Sequence, residues 1–567
     1  MENKAVYDAR PWLRFYPPGT PSDVGVPNES IPAAFDRAVQ RWKDKTAIVF
    51  YGRKITYKEL GDQVQKFASA LYDLGVRKGD VVSLLLVNSP QFIVAFHAAL
   101  KLGAIVSPIS PVYVSPEIKH QLEDNGSKDL VCLDILYDKV EKTGIQLRNV
   151  ILTSVGDYLP PMKKILGRTV LRSEYDKMSA PPSELFTRQG FYRFQDLIKA
   201  KVPLQLNTAI DAKTDVAVLS YTGGTTGLPK GAMLTHYNLR ADELQFFSFY
   251  SSVLEEGNEV YIAIMPFYHI GGLEMAVVGG LIRGYMLVVF ASVDMDDVVD
   301  AIETHQTTIF GSVPSLFESL RKYEKVDRVD WRRLKLIFTG ADALLESTAS
   351  GWTARTGTQL LEVYGLTETS LATHASPYGR VKKGSFGVPI PSTRAAILHP
   401  DEDKFMAVGE IGEIAIIGPQ VFKGYWNNPK ETEARFSDIE GEQWFRTGDL
   451  GSMDHEGYFY FYDRKRDMIK YKGYAVFARE VEEVLTAHPK IKEAGVVGVP
   501  DPSVGEIVKA IVVAEPEARG QLSEEEIRKW CEDRLAHYKI PRIIKFAGEI
   551  PKTDVGKVSR RELREDY

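Results

Sequence analysis

Cysteine is nearly absent: the 567 residues hold only Cys132 and Cys531, far apart in the chain. That excludes a disulfide framework and a cysteine-based zinc site, and it suits a reducing compartment. Excess positive charge is also missing. A net charge of -6 gives no global attraction to nucleic acid or to an anionic membrane, so any phosphate site must be local. The opening "MENKAVYDARPWLRFYPPG" mixes charges and prolines without an apolar centre, which excludes a signal peptide or anchor. The apolar stretch "GLEMAVVGGLIRGYMLVVF" is interrupted by Glu274 and Arg283, costly at the centre of a membrane span, and reads as buried protein core. With no transmembrane segment, cytoplasmic residence is the expectation.

What is present is an ordinary globular composition, 44% hydrophobic and 26% charged. Short Val/Ile/Leu runs alternate with helical spacing from Ala34 to Leu86, and again in "VYIAIMPFYH", "TTIFGSVPSLFESL" and "LKLIFTGADAL". That rhythm predicts an α/β enzyme core around a mainly parallel sheet. Residues from about Asn149 to Lys199 hold little clean periodicity and read as a loop-dominated insertion. In "YFYFYDRKRDMIKYKGY", Tyr458 to Tyr474, a Tyr/Phe strand meets a dense charge run and new periodicity begins. The expected division is therefore 1–465 as a large domain and 466–567 as a small α+β domain, within the usual size range.

One segment is dense in glycine and hydroxyls: "SYTGGTTGLPKG", Ser220 to Gly231. A strand, "DVAVLSYT", enters it, and Thr235 stands before a helix, so the local prediction is strand, glycine loop, helix. Bare backbone N–H groups, Thr hydroxyls and one lysine make an anion cradle. It is not a Walker A loop, because Lys230 lies between Pro229 and Gly231.

That loop opens an ordered series: "YGLTET" (Tyr364 to Thr369), "GSFGVPIP", "GEIGEI", "FKGYW", "RTGD" (Arg446 to Asp449), "DRKRDMIKYKGY", "VGVPDPSVGE" and "PKTDVGKVSRREL". In this order the chain resembles the adenylate-forming superfamily of acyl-CoA synthetases, luciferases and peptide-synthetase adenylation domains, over nearly its whole length. The resemblance implies an α/β fold: a large N-terminal domain of αβ sheets with a small β-barrel-like part, then a small mobile α+β C-terminal domain. It implies ATP-dependent activation of a carboxylic acid as acyl-AMP with release of pyrophosphate, then transfer to a thiol. ATP, Mg²⁺ and CoA are the implied cofactors, and a small-molecule carboxylic acid and CoA the partners, with no nucleic acid. Peripheral membrane contact and a homodimer are compatible with it.

Activating a carboxylate demands a triphosphate held with its α-phosphorus facing the acid and a neutralised leaving group. By resemblance, Thr222, Gly223, Gly224, Thr225, Thr226, Gly227 and Lys230 grip the β- and γ-phosphates. Glu368 matches the magnesium ligand, Thr367 a phosphate contact, Tyr364 the residue stacked on adenine, and Gly340 and Ala341 the stretch lining it. Asp449 matches the acceptor for the ribose hydroxyls, with Arg464 beside it. Lys557 matches the lysine that reaches the acid and α-phosphate, where a cation stabilises transition-state charge. Arg466 matches the pivot, and Lys470, Gly473 and Tyr474 the face brought in for thioester formation. Without the motifs, Glu368 would read as a solvated glutamate, Tyr364 as a core aromatic and Lys557 as one more lysine in a basic tail. Two positions depart from the family pattern. Asp463, a variation found in luciferase-like members and not expected to abolish binding, stands where glycine usually precedes the arginine, and Ala478 where proline usually opens the acidic helix, which is expected to loosen that helix entry.

Short-chain acetyl-CoA synthetases carry Trp at the position of Gly365, so the glycine is expected to leave the acyl pocket open. With Phe246, Phe247, Phe267, Tyr268 and His269 near the expected wall, this favours a medium- or long-chain fatty acid. His269 is expected to line or gate the pocket and not to bind metal, since no second His or Cys lies at ligand spacing. No carrier domain follows Lys557, which suits free CoA. An aryl-CoA ligase, a fatty acyl-AMP ligase, an amino-acid activator and a non-catalytic nucleotide-binding module are the alternatives. The joint presence of Glu368, Asp449 and Lys557 argues against the last.

Overall fold

The β-branched runs become the interiors of two large mixed sheets. In the first, Thr46–Phe50, Met286–Val289, Val260–Ala263, Ile309–Ser312, Leu336–Gly340 and Leu361–Tyr364 lie parallel, neighbour to neighbour. Antiparallel edges close it: Arg53–Thr56 on one side, His374–Ala375 and Val388–Pro389 on the other. In the second, Val216–Thr222, Ile105–Pro108, Val81–Leu85, Asp129–Leu133, Asn149–Thr153 and Phe191–Arg193 are parallel, as the sequence rhythm predicts. This computed structural model describes residues 2–160, 162–163, 183–203, 208–222, 229–472, 474–552 and 558–565.

Helix Pro90–Lys101 is buried along all but its last residue, the behaviour of a helix that is apolar on every side. Its Phe92 ring lies 5.6 Å from Phe267, in the turn after a strand of the first sheet, so one core joins the two sheets. The N-terminal segment, read as neither signal nor anchor, belongs to this core: Trp12 is fully buried, and Tyr16 Oη donates to the Pro389 carbonyl at 2.7 Å.

A third, antiparallel sheet contains Arg394–Leu398, Gly412–Ile417, Glu442–Met453, Phe436–Ile439 and Phe459–Arg464. The long strand Glu442–Met453 pairs with three neighbours along its length, which curls the sheet. A fourth sheet is built from Ile469–Tyr471, Tyr474–Val476, Ile491–Asp501, Gly505–Ala514 and Ile543–Phe546. It has its own core, in which Val481 and Leu485 of helix Ala478–Thr486 pack with Val496, Val512, Ile527 and Cys531.

Two expectations need correction. The glycine loop does not lead directly into a helix: Lys230–Thr235 is a second strand, antiparallel to Val216–Thr222, and only then does Thr235 cap helix His236–Phe249 by accepting from Asn238 N at 3.1 Å. The strand hides in the sequence because Gly231 interrupts its alternation; a Cβ there would sit tightly, 3.2 Å from the Tyr221 ring. The region from Asn149 to Lys199 is also not loop throughout. Asn149–Thr153 is a fully buried strand of the second sheet, and Phe191–Arg193 is its next neighbour.

Candidate active site

Gly340 and Tyr364 are the last residues of adjacent parallel strands, and open α/β sheets bind ligands beyond such carboxyl ends. The strands approach so closely that a Cβ on Gly340 would lie 2.4 Å from the Val363 carbonyl oxygen, so packing alone demands glycine. Ala341 follows, exposed, with φ of 69° in the left-handed region.

Tyr364 Oη donates to Asp449 Oδ2 at 2.8 Å, while its ring lies 4.4 Å from Phe386. Asp449 arrives on the curled sheet, in register with Arg464, whose Nε is 3.6 Å from Asp449 Oδ1. Burial of the carboxylate, only 4% exposed, would be costly without these partners. Burial, then the Asp449 charge, pushes the Tyr364 phenol well above its ordinary range, so it stays a donor. Asp449 foremost raises the ionisation of Arg464, with Tyr364, Asp467 and Glu368 adding to the same field.

Glu368 lies in the turn Thr367–Thr369, beside half-buried Thr367. Tyr425 Oη donates to its Oε1 at 2.6 Å, and Phe422 N donates to its backbone carbonyl at 2.8 Å. Tyr425 lies on Gly424–Tyr425, the edge strand paired with Lys230–Thr235. Lys230, opposite Thr222 across the hairpin, places Nζ 2.7 Å from Glu431 Oε1 and 5.8 Å from the Tyr425 ring centroid. The lysine holds the Glu431 carboxyl below its ordinary range. Among the described residues no three His, Cys, Asp or Glu side chains cluster as a metal cage. One hard carboxylate held by a hydroxyl is still a fitting ligand for Mg²⁺, which keeps waters and bridges substrate phosphates.

His269 caps the turn Ile270–Gly272, its Nδ1 accepting from Gly271 N at 3.3 Å. A Cβ on Gly271 would touch Leu371 Cδ1 at 3.8 Å, and one on Gly365 would lie 1.5 Å from the Leu371 carbonyl oxygen. Gly271, capped by His269, and Gly365 therefore both approach Leu371, and glycine at 365 has a packing cause independent of any acyl pocket. Phe246, Phe247 and Phe267 are buried in the aromatic core, against Tyr250, Tyr285 and Phe92 respectively.

Lys470 and Tyr474 lie elsewhere, on a hairpin of the fourth sheet. The Lys470 backbone N–H donates to Glu506 Oε2 at 2.7 Å, and Tyr474 is 60% exposed with its ring 5.0 Å from Tyr538. No described contact joins either to Glu368 or Asp449. Gly223, Gly224, Thr225, Thr226, Gly227, Gly473 and Lys557 lie outside the described residues. Sequence reading missed Tyr425 and Glu431 as parts of this site, although Tyr425 stands inside the "FKGYW" motif.

Strand ends that gather a carboxylate–tyrosine–arginine group and a lysine beside a second carboxylate define an α/β enzyme with a polar site at its sheet termini. Residues 35–426 match the AMP-binding enzyme family and residues 480–557 the AMP-binding enzyme C-terminal domain; the chain belongs to this family. It is 37% identical over 565 residues to a long-chain-fatty-acid–CoA ligase of Bacillus subtilis, with 98% of each chain covered. It is 35% identical over 570 residues to a long-chain-fatty-acid–CoA ligase of Escherichia coli O157:H7, again with 98% of each covered. Among solved structures, ATP-bound MatB from Rhodopseudomonas palustris superposes with a TM-score of 0.81 at 28% identity, covering 95% of this chain and 99% of that one. No helix among the described residues is long and apolar enough to cross a membrane.

Proposed function

We propose that the protein is an ATP-dependent acid–thiol ligase that converts a long-chain fatty acid to its CoA thioester. The observation that carries this reading is full-length relatedness to long-chain-fatty-acid–CoA ligases. In the first step a carboxylate oxygen attacks the α-phosphorus of ATP, the bond to the β-phosphate breaks, and pyrophosphate leaves. In the second, the CoA sulfur attacks the acyl carbon and AMP leaves.

Each side chain takes a role its surroundings support. Tyr364 offers a face to adenine beside Gly340 and Ala341, and Asp449, steadied by Tyr364 and Arg464, accepts from the ribose hydroxyls. The loop from Thr222 to Lys230 takes the β- and γ-phosphates, with Thr367 as a further donor. Lys230 must leave Glu431 to face them. Glu368, oriented by Tyr425, would hold Mg²⁺, which when bound neutralises charge on the departing pyrophosphate. Lys557 contacts the acid and α-phosphate in the first step. Lys470, Gly473 and Tyr474 serve the second, after residues 466–567 rotate about Arg466 as a domain against 1–465. The acyl chain enters past His269 and Gly365. Cytoplasmic residence, with peripheral contact at a lipid surface to collect the acid, fits this substrate.

The test is Lys557→Ala with palmitate, ATP, Mg²⁺ and CoA. Acyl-AMP formation should fall by about a hundredfold or more, while thioester formation from supplied palmitoyl-AMP persists. Undiminished acyl-AMP formation would overturn the mechanism.

A further inference from the structure

The two positions where the chain departs from its family pattern touch each other. Ala478 N donates to Asp463 Oδ2 at 2.7 Å. Proline at 478 would have no N–H to donate and glycine at 463 no oxygen to accept, so the two changes form one interaction. The expectation that Ala478 loosens the helix entry is thereby corrected: Asp463 satisfies the first N–H of helix Ala478–Thr486 and sets a negative charge at its positive end.

Asp463 does more. It is 1% exposed, and its Oδ1 accepts from Arg560 Nη1 at 2.5 Å and from Arg464 N at 2.8 Å. Arg560 also reaches Glu482 Oε2 at 3.3 Å and Asp467 Oδ2 at 3.8 Å, while Arg564 donates to Asp467 Oδ1 at 2.9 Å. These partners fall on two sides of the expected pivot, Arg466. Asp463 belongs to strand Phe459–Arg464, paired with Leu450 of the curled sheet. Asp467, Ala478, Glu482, Arg560 and Arg564 all follow the pivot. A rotation about residue 466 would carry Arg560 with Glu482 and Asp467 still attached; it would break the bonds of Arg560 and Ala478 to Asp463, along with those of Arg479 to the Phe461 and Leu344 carbonyls.

The orientation seen here also has a chemical direction. Arg560, three residues after Lys557, is bonded to the neighbour of Arg464, which is 3.6 Å from Asp449. Meanwhile Lys470 and Tyr474, proposed for the thioester step, are exposed and away from that group.

We propose that Asp463 and Arg560 are positioning residues for acyl-AMP formation: their bond across the hinge holds the C-terminal domain in the orientation that sets the start of helix Arg560–Glu565 against Asp463, next to Arg464. Its kinetic consequence rests on the ligase reading; its conformational consequence does not. Rotation to the thioester orientation breaks the Asp463 bonds to Arg560 and Ala478, while Arg560 keeps its other two carboxylates, so the arginine is never left buried and unpaired.

The test uses the full chain with Asp463→Asn, which preserves shape and an accepting oxygen, and separately Arg560→Gln, which attacks the bond from the other side. Palmitate-dependent ATP–pyrophosphate exchange reads the first half-reaction, and thioester formation from supplied palmitoyl-AMP and CoA reads the second. Exchange should fall about tenfold in each variant, the scale of one charge-assisted bond lost in one orientation only. The second half-reaction should be unchanged or faster, and the double variant no worse than either single one. Proportional loss of both half-reactions would reduce the pair to a structural role and overturn the proposal, as would no change in either. Tryptic cleavage between residues 465 and 472 of the substrate-free protein supplies a readout independent of chemistry. It should accelerate about tenfold in both variants, and an unchanged rate would overturn the latch even if the ligase reading failed.

Discussion

Lys230 is already neutralised before any phosphate arrives, which makes Glu431→Gln an informative perturbation. The ion pair spans 2.7 Å between side chains 35% and 34% exposed. In bulk water such a pair is attracted by about 1.5 kcal/mol, and exposed pairs measured by mutation contribute about 0.2–1 kcal/mol. In the proposed binding mode the triphosphate competes for Lys230, so removing Glu431 removes that competition. ATP should bind about 1.4- to 5-fold more tightly to Glu431→Gln, by the usual conversion of 1.36 kcal/mol per tenfold. The assay is calorimetric titration of ATP at 0.05 and 0.5 M salt, with the difference shrinking at high salt as exposed charges are screened. The sign with pH is fixed too. Lys230 depresses the Glu431 carboxyl, so the pair exists above that lowered range and is lost as pH falls through it, where wild type and variant should converge. Weaker ATP binding by the variant would refute the reasoning, since Glu431 would then be helping to hold the nucleotide.

Asp449→Asn removes the charge that Tyr364 and Arg464 flank, and should weaken ATP binding by about tenfold to a hundredfold in equilibrium titration. Gly365→Ala places a Cβ 1.5 Å from the Leu371 carbonyl oxygen, so the backbone must move; we expect a loss of about 3 kcal/mol or more in denaturant unfolding. Glu362 has its carboxyl pushed up to about 7 by burial, against the opposing pull of Arg479. Because the folded state holds that proton more tightly than the unfolded chain, wild-type stability falls as pH rises from roughly 4.5 to 7. Glu362→Gln should therefore unfold at higher temperature than wild type at pH 8, by about 1–3 kcal/mol in stability, and match it near pH 4.

Much of this was legible from residues alone because the motifs are local. Alternating apolar runs marked the parallel strands, and Thr235 marked its helix start. Contacts between distant segments were not legible. Tyr364 meets Asp449 across 85 positions, and Tyr425 meets Glu368 across 57, through sheet packing that no local pattern encodes. Lys230–Thr235 was hidden because Gly231, packed close to the Tyr221 ring, broke its period. Gly365 was expected to leave the acyl pocket open; it also has a packing cause that no local pattern encodes, since a Cβ there would lie 1.5 Å from the Leu371 carbonyl oxygen. Asp463 and Ala478 looked like two unrelated departures because only the folded chain brings them within hydrogen-bonding distance.

The most direct measurement is product formation by the purified protein with ATP, Mg²⁺ and acids from acetate to palmitate, plus benzoate, each with and without CoA. The account predicts acyl-AMP without CoA and a CoA-dependent thioester that peaks on a long-chain acid. Acyl-AMP with no thioester, a peak on acetate or benzoate, or no ATP turnover with any acid would contradict it.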